Sequence, residues 1–170
     1  MRIMKNTLEF NLKPICRDIC KAGEKSIAFL RSHGFSEDTV QSQINILNGL
    51  IANGLKYAGF SPSATEIIVR LQVDKRHYTI EVANPIDETG RRRLKQLDKT
   101  VQFIRGYQDP YEAYSIQRAE AGAHPADAEA HDLSLFKIAC EEGAMLDFFV
   151  SEDNVLSLSA VGSFDGGDKI

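Results

Sequence analysis

The chain has no tryptophan, only three cysteines, and no apolar run near the ~18 residues that a bilayer span needs. Its first residues, Met1-Arg2-Ile3-Met4-Lys5-Asn6, lack the apolar core of a secretory signal, so a cytoplasmic protein is expected. An odd cysteine count in that setting does not suggest a disulfide framework. Cys16 and Cys20 stand four apart on an apolar helical pattern with Ile15, Ile19 and Ile27. They are expected to pack as small hydrophobes. No histidine or cysteine cluster lies near them to complete a metal site. Phosphate-binding P-loops, Gly-x-Ser-x-Gly elbows and metal-ligand spacings are also missing. A net charge of −4 argues against nucleic acid as the main partner.

What is present is the material of one soluble domain. The 170 residues are 43% hydrophobic and 26% charged, enough for a single substantial core and too few for two ordinary domains. Thr7 to Asn11 alternates apolar and polar residues, which predicts a strand. Pro14 to about Ser32 predicts a helix with Pro14 in its first turn and Gly34 as its C-terminal cap. Ser36 is a good N-cap for the next helix, with Glu37 and Asp38 in the first turn. That helix carries Ile44, Leu47, Ile51, Leu55 and Ala58 on one core-facing stripe and ends at Gly59.

Glu66 to Val73 and Tyr78 to Ala83 predict a hairpin, followed by helices over Arg91 to Arg105 and Tyr111 to Glu120. Ala121 to Ala130 has no apolar periodicity and is expected to be a mobile loop or lid. Asp132 to Glu142 predicts a helix closed by Gly143, and Met145 to Val150 with Val155 to Val161 a second hairpin. Residues 1–164 then form one domain, with Asp165 to Ile170 as a disordered tail. Hairpins separated by helices predict an α+β two-layer sandwich, with a mixed, mostly antiparallel sheet and helices on one face.

The most informative stretch is Leu47-Asn48-Gly49-Leu50-Ile51-Ala52-Asn53-Gly54-Leu55-Lys56-Tyr57-Ala58-Gly59. Gly49, Asn53 and Lys56 fall at i, i+4 and i+7, on one face of the helix. Asn is a poor helix former and an interior Gly costs about 1 kcal/mol relative to Ala, so helix stability alone does not account for them. The string Asn53-Gly54-Leu55-Lys56-Tyr57-Ala58 resembles the N-box of the GHKL ATP-binding fold. That fold is shared by histidine kinases, gyrase-type ATPases and the anti-sigma serine kinases. The element order read above matches it as well.

The resemblance implies an ATP–Mg²⁺ site with Asn53 on the metal and Lys56 on the same face. The family's second signature, an Asp after a strand that accepts from the adenine amino group, corresponds to Asn84. An Asn carbonyl can accept there and its NH₂ can donate to the ring. Asp87 is the other candidate, and Gly90 supplies the glycine of that turn. A plain Asn-Pro turn at the strand end is the structural alternative. The phosphate loop corresponds to His131-Asp132-Leu133-Ser134-Leu135, where Asp132 and Ser134 replace glycines. Asp132 as a simple N-cap is the alternative there. The family's catalytic Glu, four residues before the N-box Asn, is Gly49 here, and no Asp or Glu occurs from Val40 through Gly59. No catalytic residue is therefore assigned, since a general base must reach its proton.

Arg91-Arg92-Arg93 with Lys95 is either a solvated helix start or a phosphate clamp. The scattered histidines His33, His77, His124 and His131 do not resemble a phosphoacceptor on a dimerisation helix. A lone domain of this kind is most similar to the anti-sigma and SiaB-like serine kinases. The resemblance implies a partner-switching regulator that binds a STAS-type antagonist or a sigma-factor-like protein. It also implies a homodimer, while the departures at Gly49, Asp132 and Ser134 point to weak ATP–Mg²⁺ binding, with little or no kinase activity. An active serine kinase and a nucleotide-free interaction module are the alternatives.

Overall fold

The computed structural model describes residues 2–4, 6–61, 65–123 and 133–164. Among them the chain order is β1 (Arg2–Met4), β2 (Thr7–Leu12), α1 (Cys16–Ser32), α2 (Glu37–Tyr57), β3 (Ile67–Val73), β4 (His77–Pro85), α3 (Glu88–Arg105), α4 (Pro110–Ala123), α5 (Ser134–Glu141), β5 (Met145–Val150) and β6 (Val155–Ser163). The strands make one sheet in the order β1-β2-β3-β4-β6-β5. It is a two-layer α+β sandwich, as the hairpin-and-helix pattern predicts.

The expected mixed sheet is antiparallel at every described pair. β5 does run in the direction of β4, but β6 lies between them. The crossover through α3, α4 and α5 therefore never creates parallel neighbours. β1 is an edge strand that its three residues gave no periodicity to reveal.

The strands bury alternate residues. Leu8, Phe10 and Leu12 on β2, Ile67, Val69 and Leu71 on β3, Ile80 and Val82 on β4, and Leu156 and Leu158 on β6 all face the helices. The opposite face is polar over β2 to β4 apart from Ile68 and Ala83, and there Arg70 donates to Glu9 at 2.8 Å and to Glu81 at 3.1 Å. α2 lies across β4 and β6 and touches α1, α3 and α5. Ser36 caps it by accepting from the Thr39 amide at 3.2 Å, and Lys56 sits in the last turn where the helix dipole favours a cation.

Ile44, Leu47 and Ile51 are buried as expected, and Leu55 is partly so. The helix stops at Tyr57, with Ala58 an extended cap, so Gly59 is not the terminator. Gly59 instead donates to Pro85 O at 2.9 Å. Gly34 and Gly143 do take the left-handed conformation that a glycine after a helix end supplies, with φ of 76° and 63°.

Cys16 and Cys20 are exposed rather than packed. α1 turns Ala22, Ser26, Phe29 and Leu30 inward, and the cysteines fall on the other side. α4 runs through Ala123, taking in the first three residues of the expected loop. The rest of that loop, Asp132, and the tail lie outside the described residues.

Leu50 is fully buried where α2 meets the sheet. Leu50→Ala should cost ~2–5 kcal/mol, read in urea as a lower midpoint at unchanged slope. Lys95→Ala on the exposed side of α3 should stay within about 0.5 kcal/mol.

Candidate functional site

α2, β4 and α5 bring most of the residues singled out by sequence into one neighbourhood. Asn53 is 1% exposed, and its amide Nδ2 donates to Gly49 O at 2.8 Å and to Ser134 Oγ at 2.7 Å. The first bond is the i to i−4 contact that lets an Asn sit inside a helix. The second ties α2 to the first turn of α5. Ser134, expected at the phosphate loop, thus stands beside Asn53 and meets the Asn side chain itself.

Gly49 lies one turn earlier on α2. A Cβ built there would come 2.7 Å from Cδ1 and 3.2 Å from Cγ1 of Ile138, which is 4% exposed. The space that a longer side chain at position 49 would enter is filled by α5. The absence of a carboxylate at this position is therefore matched by its surroundings. Ile138 was not singled out from the sequence. It reads there as one more apolar residue of an amphipathic helix, and only the pairing of helices reveals its partner.

Asn84 is not in a turn after the strand. It lies inside β4, paired with Leu156, and points under α2 with 1% exposure. A Cβ on Gly54 would sit 2.7 Å from Asn84 Oδ1, so the glycine admits the carboxamide against the helix. Asn84 Nδ2 donates to Pro85 O at 3.2 Å. Its Oδ1 is the one buried side-chain polar atom without a hydrogen-bond partner among the described residues. An orphan acceptor of this kind costs about 1–3 kcal/mol.

Asp87 is exposed and serves as the N-cap of α3, accepting from the Gly90 amide at 2.8 Å. Gly90 is buried because a Cβ there would strike the backbone carbonyl of Tyr57. Lys56 is exposed, and its carbonyl accepts from Arg93 Nη1 at 3.2 Å. Arg91 bonds Asn154 Oδ1, and Arg92 pairs with Glu88 at 3.9 Å. The basic run is therefore a solvated stretch inside α3, with two of its guanidiniums holding neighbouring backbone or turn atoms. Partial burial, aided by the charges of Glu141 and Asp109, pushes the Cys140 thiol up. That disfavours the thiolate a nucleophile needs.

The residues present do not fit an ATP–Mg²⁺ complex as a set. Among the described residues, the end where the resemblance would put phosphates and metal has Ile138 against Gly49 and Asn53 Nδ2 bonded to Ser134. Among the described residues, no group of three or more His, Cys, Asp or Glu could hold a metal. The end where a base would lie differs, since Asn84 Oδ1 retains an unused acceptor there.

No protein-family model matches the chain, and no curated protein matches its sequence. Among solved structures it is similar to a chain in the crystal structure of the SiaB–SiaC complex from Pseudomonas aeruginosa. The two share 18% identity with a TM-score of 0.67, over 91% of this chain and 88% of that one. At that identity the likeness establishes the fold. No helix among the described residues is long and apolar enough to cross a membrane.

Gly49→Glu should destabilise the protein by about 1–3 kcal/mol, because the new side chain must displace Ile138. Adding Ile138→Ala should recover part of that loss relative to the sum of the two single changes. Strict additivity in urea unfolding would show that the two positions do not compete for one volume.

Proposed function

We propose that this chain is a regulatory protein of the partner-switching kind, which acts by binding another protein and is not a working kinase. The observation that carries this reading is Ile138 against Gly49. The fold's position for a catalytic carboxylate is held by a glycine whose outer space belongs to a neighbouring helix. Support for a protein partner comes from the structural neighbour, which was solved in a two-protein complex. A STAS-type antagonist or a sigma-factor-like regulator is the partner class that the GHKL resemblance implies.

On this reading ATP–Mg²⁺ is a weak ligand at best. Asn53 is a clamp between helices, and among the described residues the phosphate end is occupied by Ile138 and Ser134. The orphan acceptor on Asn84 favours some remaining capacity for an adenine-like base, whose amino group would donate to Oδ1.

Three measurements test the proposal. Labelled ATP with Mg²⁺ and a STAS-domain antagonist should give no phosphoryl transfer near the ~1 s⁻¹ of an ordinary kinase. Transfer at that rate would establish the serine kinase instead. In the same mixture without nucleotide, calorimetric titration should still detect the complex. A complex that forms only with ATP–Mg²⁺ present would contradict a nucleotide-independent partner binder. Thermal unfolding should shift little with ATP–Mg²⁺, since a ligand that binds the native state stabilises it only as the logarithm of its concentration relative to Kd.

A further inference from the structure

A hollow of about 240 Å³ opens between the start of α2, the end of α5 and the end of the sheet where β4 begins. Asp38, Ser42 and Gln43 of α2, Tyr78 of β4, Glu142 and Phe164 form most of its lining, and no Lys, Arg or His belongs to it. Two aromatic rings make one wall. Tyr78 pairs with Gly162 across the sheet, and a Cβ on Gly162 would strike the Tyr78 ring and hydroxyl. The glycine thus lets the ring lie over β6 at 4% exposure. Phe164 is fixed by its amide, which donates to Arg76 O at 2.7 Å, and its ring centroid lies 5.2 Å from that of Tyr78.

Glu142 makes the other wall. It is the C-cap of α5, where the helix dipole favours a cation. Ser42 Oγ donates to its Oε2 at 2.5 Å and Asn45 Nδ2 to its Oε1 at 3.0 Å. Two neutral donors therefore hold the carboxylate, and each oxygen keeps a further lone pair. Among the described residues no cation pairs with Glu142 or with Asp38 on the same rim. The facing N-terminus of α2 is already capped by Ser36 and carries Glu37 and Asp38.

Gln43 lies between these walls at 2% exposure. Burial pushes the Tyr78 hydroxyl up, a hydrogen bond from Gln43 opposes that, and the Glu142 charge adds to it. The other end of the Gln43 carboxamide has no hydrogen-bond partner among the described residues. It is not sealed off as Asn84 Oδ1 is, so it opens on the hollow that Gln43 lines.

We propose that this hollow binds a guanidinium group carried on an alkyl chain. Glu142 takes the charge through its spare lone pairs, and the free end of Gln43 accepts an N–H. The Tyr78 and Phe164 rings receive the planar cation and its methylenes. Either a free alkylguanidine or the arginine side chain of another protein supplies this chemistry. Gln43 and Asn53 are roughly 15 Å apart along α2, and the site does not depend on the function proposed above.

The test is backbone-amide NMR of the full chain at fixed ionic strength, because charge recognition is screened by salt. Agmatine and N-acetyl-arginine amide are titrated separately to about 50 mM, a range suited to so small a ligand. N-acetyl-citrulline amide, of the same shape without the charge, is the control. Saturable shifts around Gln43, Tyr78 and Glu142 are expected with both cations at a Kd of about 1 mM, and none with citrulline. Tighter binding of agmatine supports a free small molecule as the occupant. Tighter binding of the arginine amide supports a partner's side chain. Glu142→Gln should weaken either cation about tenfold or more. Should that variant lose its thermal transition, Asp38→Asn, on the exposed rim, should weaken both about threefold. The proposal is overturned by the absence of saturable shifts with either cation, by equal shifts with citrulline, or by a folded Glu142→Gln of unaltered affinity.

Discussion

The contact between α2 and α5 is the constraint on which the reading of this protein rests. It has two parts, one turn apart. Gly49 gives up a side chain so that Ile138 can approach, and Asn53 reaches across to Ser134. A glycine inside a helix costs about 1 kcal/mol against alanine. Burial of Ile138 against it offsets that cost, since fully burying an Ile side chain contributes roughly 1.5–3 kcal/mol. The polar bond beside it gives the Asn53 amide, at 1% exposure, a second acceptor besides Gly49 O. The geometry that seats α5 is thus the same geometry that makes a side chain at position 49 compete with Ile138 for space.

α2 transmits this constraint to the rest of the domain. It crosses β4 and β6 at the centre of the sheet and receives α1, α3 and α5 on its sides. Its small residues mark the close approaches: Gly49 to α5 and Gly54 to Asn84 of β4. Just beyond its end, Gly90 of α3 packs on the Tyr57 carbonyl. Three glycines of the region are therefore explained by packing, with no reference to a ligand. Asn84 Oδ1 is the exception, because no hydrogen bond among the described residues uses it.

The sequence made the architecture legible where the periodic signal was long. The stripe through Ile44, Leu47 and Ile51 located α2 and its buried side, and alternation located β2, β3 and β6. It misled where two faces compete. Cys16 and Cys20 sit on an apolar helical spacing, yet α1 turns the neighbouring stripe inward. At the site, spacing correctly grouped Gly49 with Asn53 on one face of α2, and brought Ser134 near them through the resemblance. It could not tell a ligand-facing side from a helix-facing one. That distinction depends on where α5 lands, which is a tertiary fact. Asn84 shows the same limit, since reading it at a strand end missed that β4 continues through Pro85.

The central claim is that Asn53 works as a clamp on α5 in the protein without nucleotide. A double-mutant cycle with Asn53→Ala, Ser134→Ala and the pair, followed by urea unfolding in the absence of ATP and Mg²⁺, measures it most directly. The account predicts a coupling of about 0.5–1.5 kcal/mol between the two side chains. Additive single changes, with no coupling beyond error, would contradict it and return Asn53 to the role of a residue waiting for a ligand.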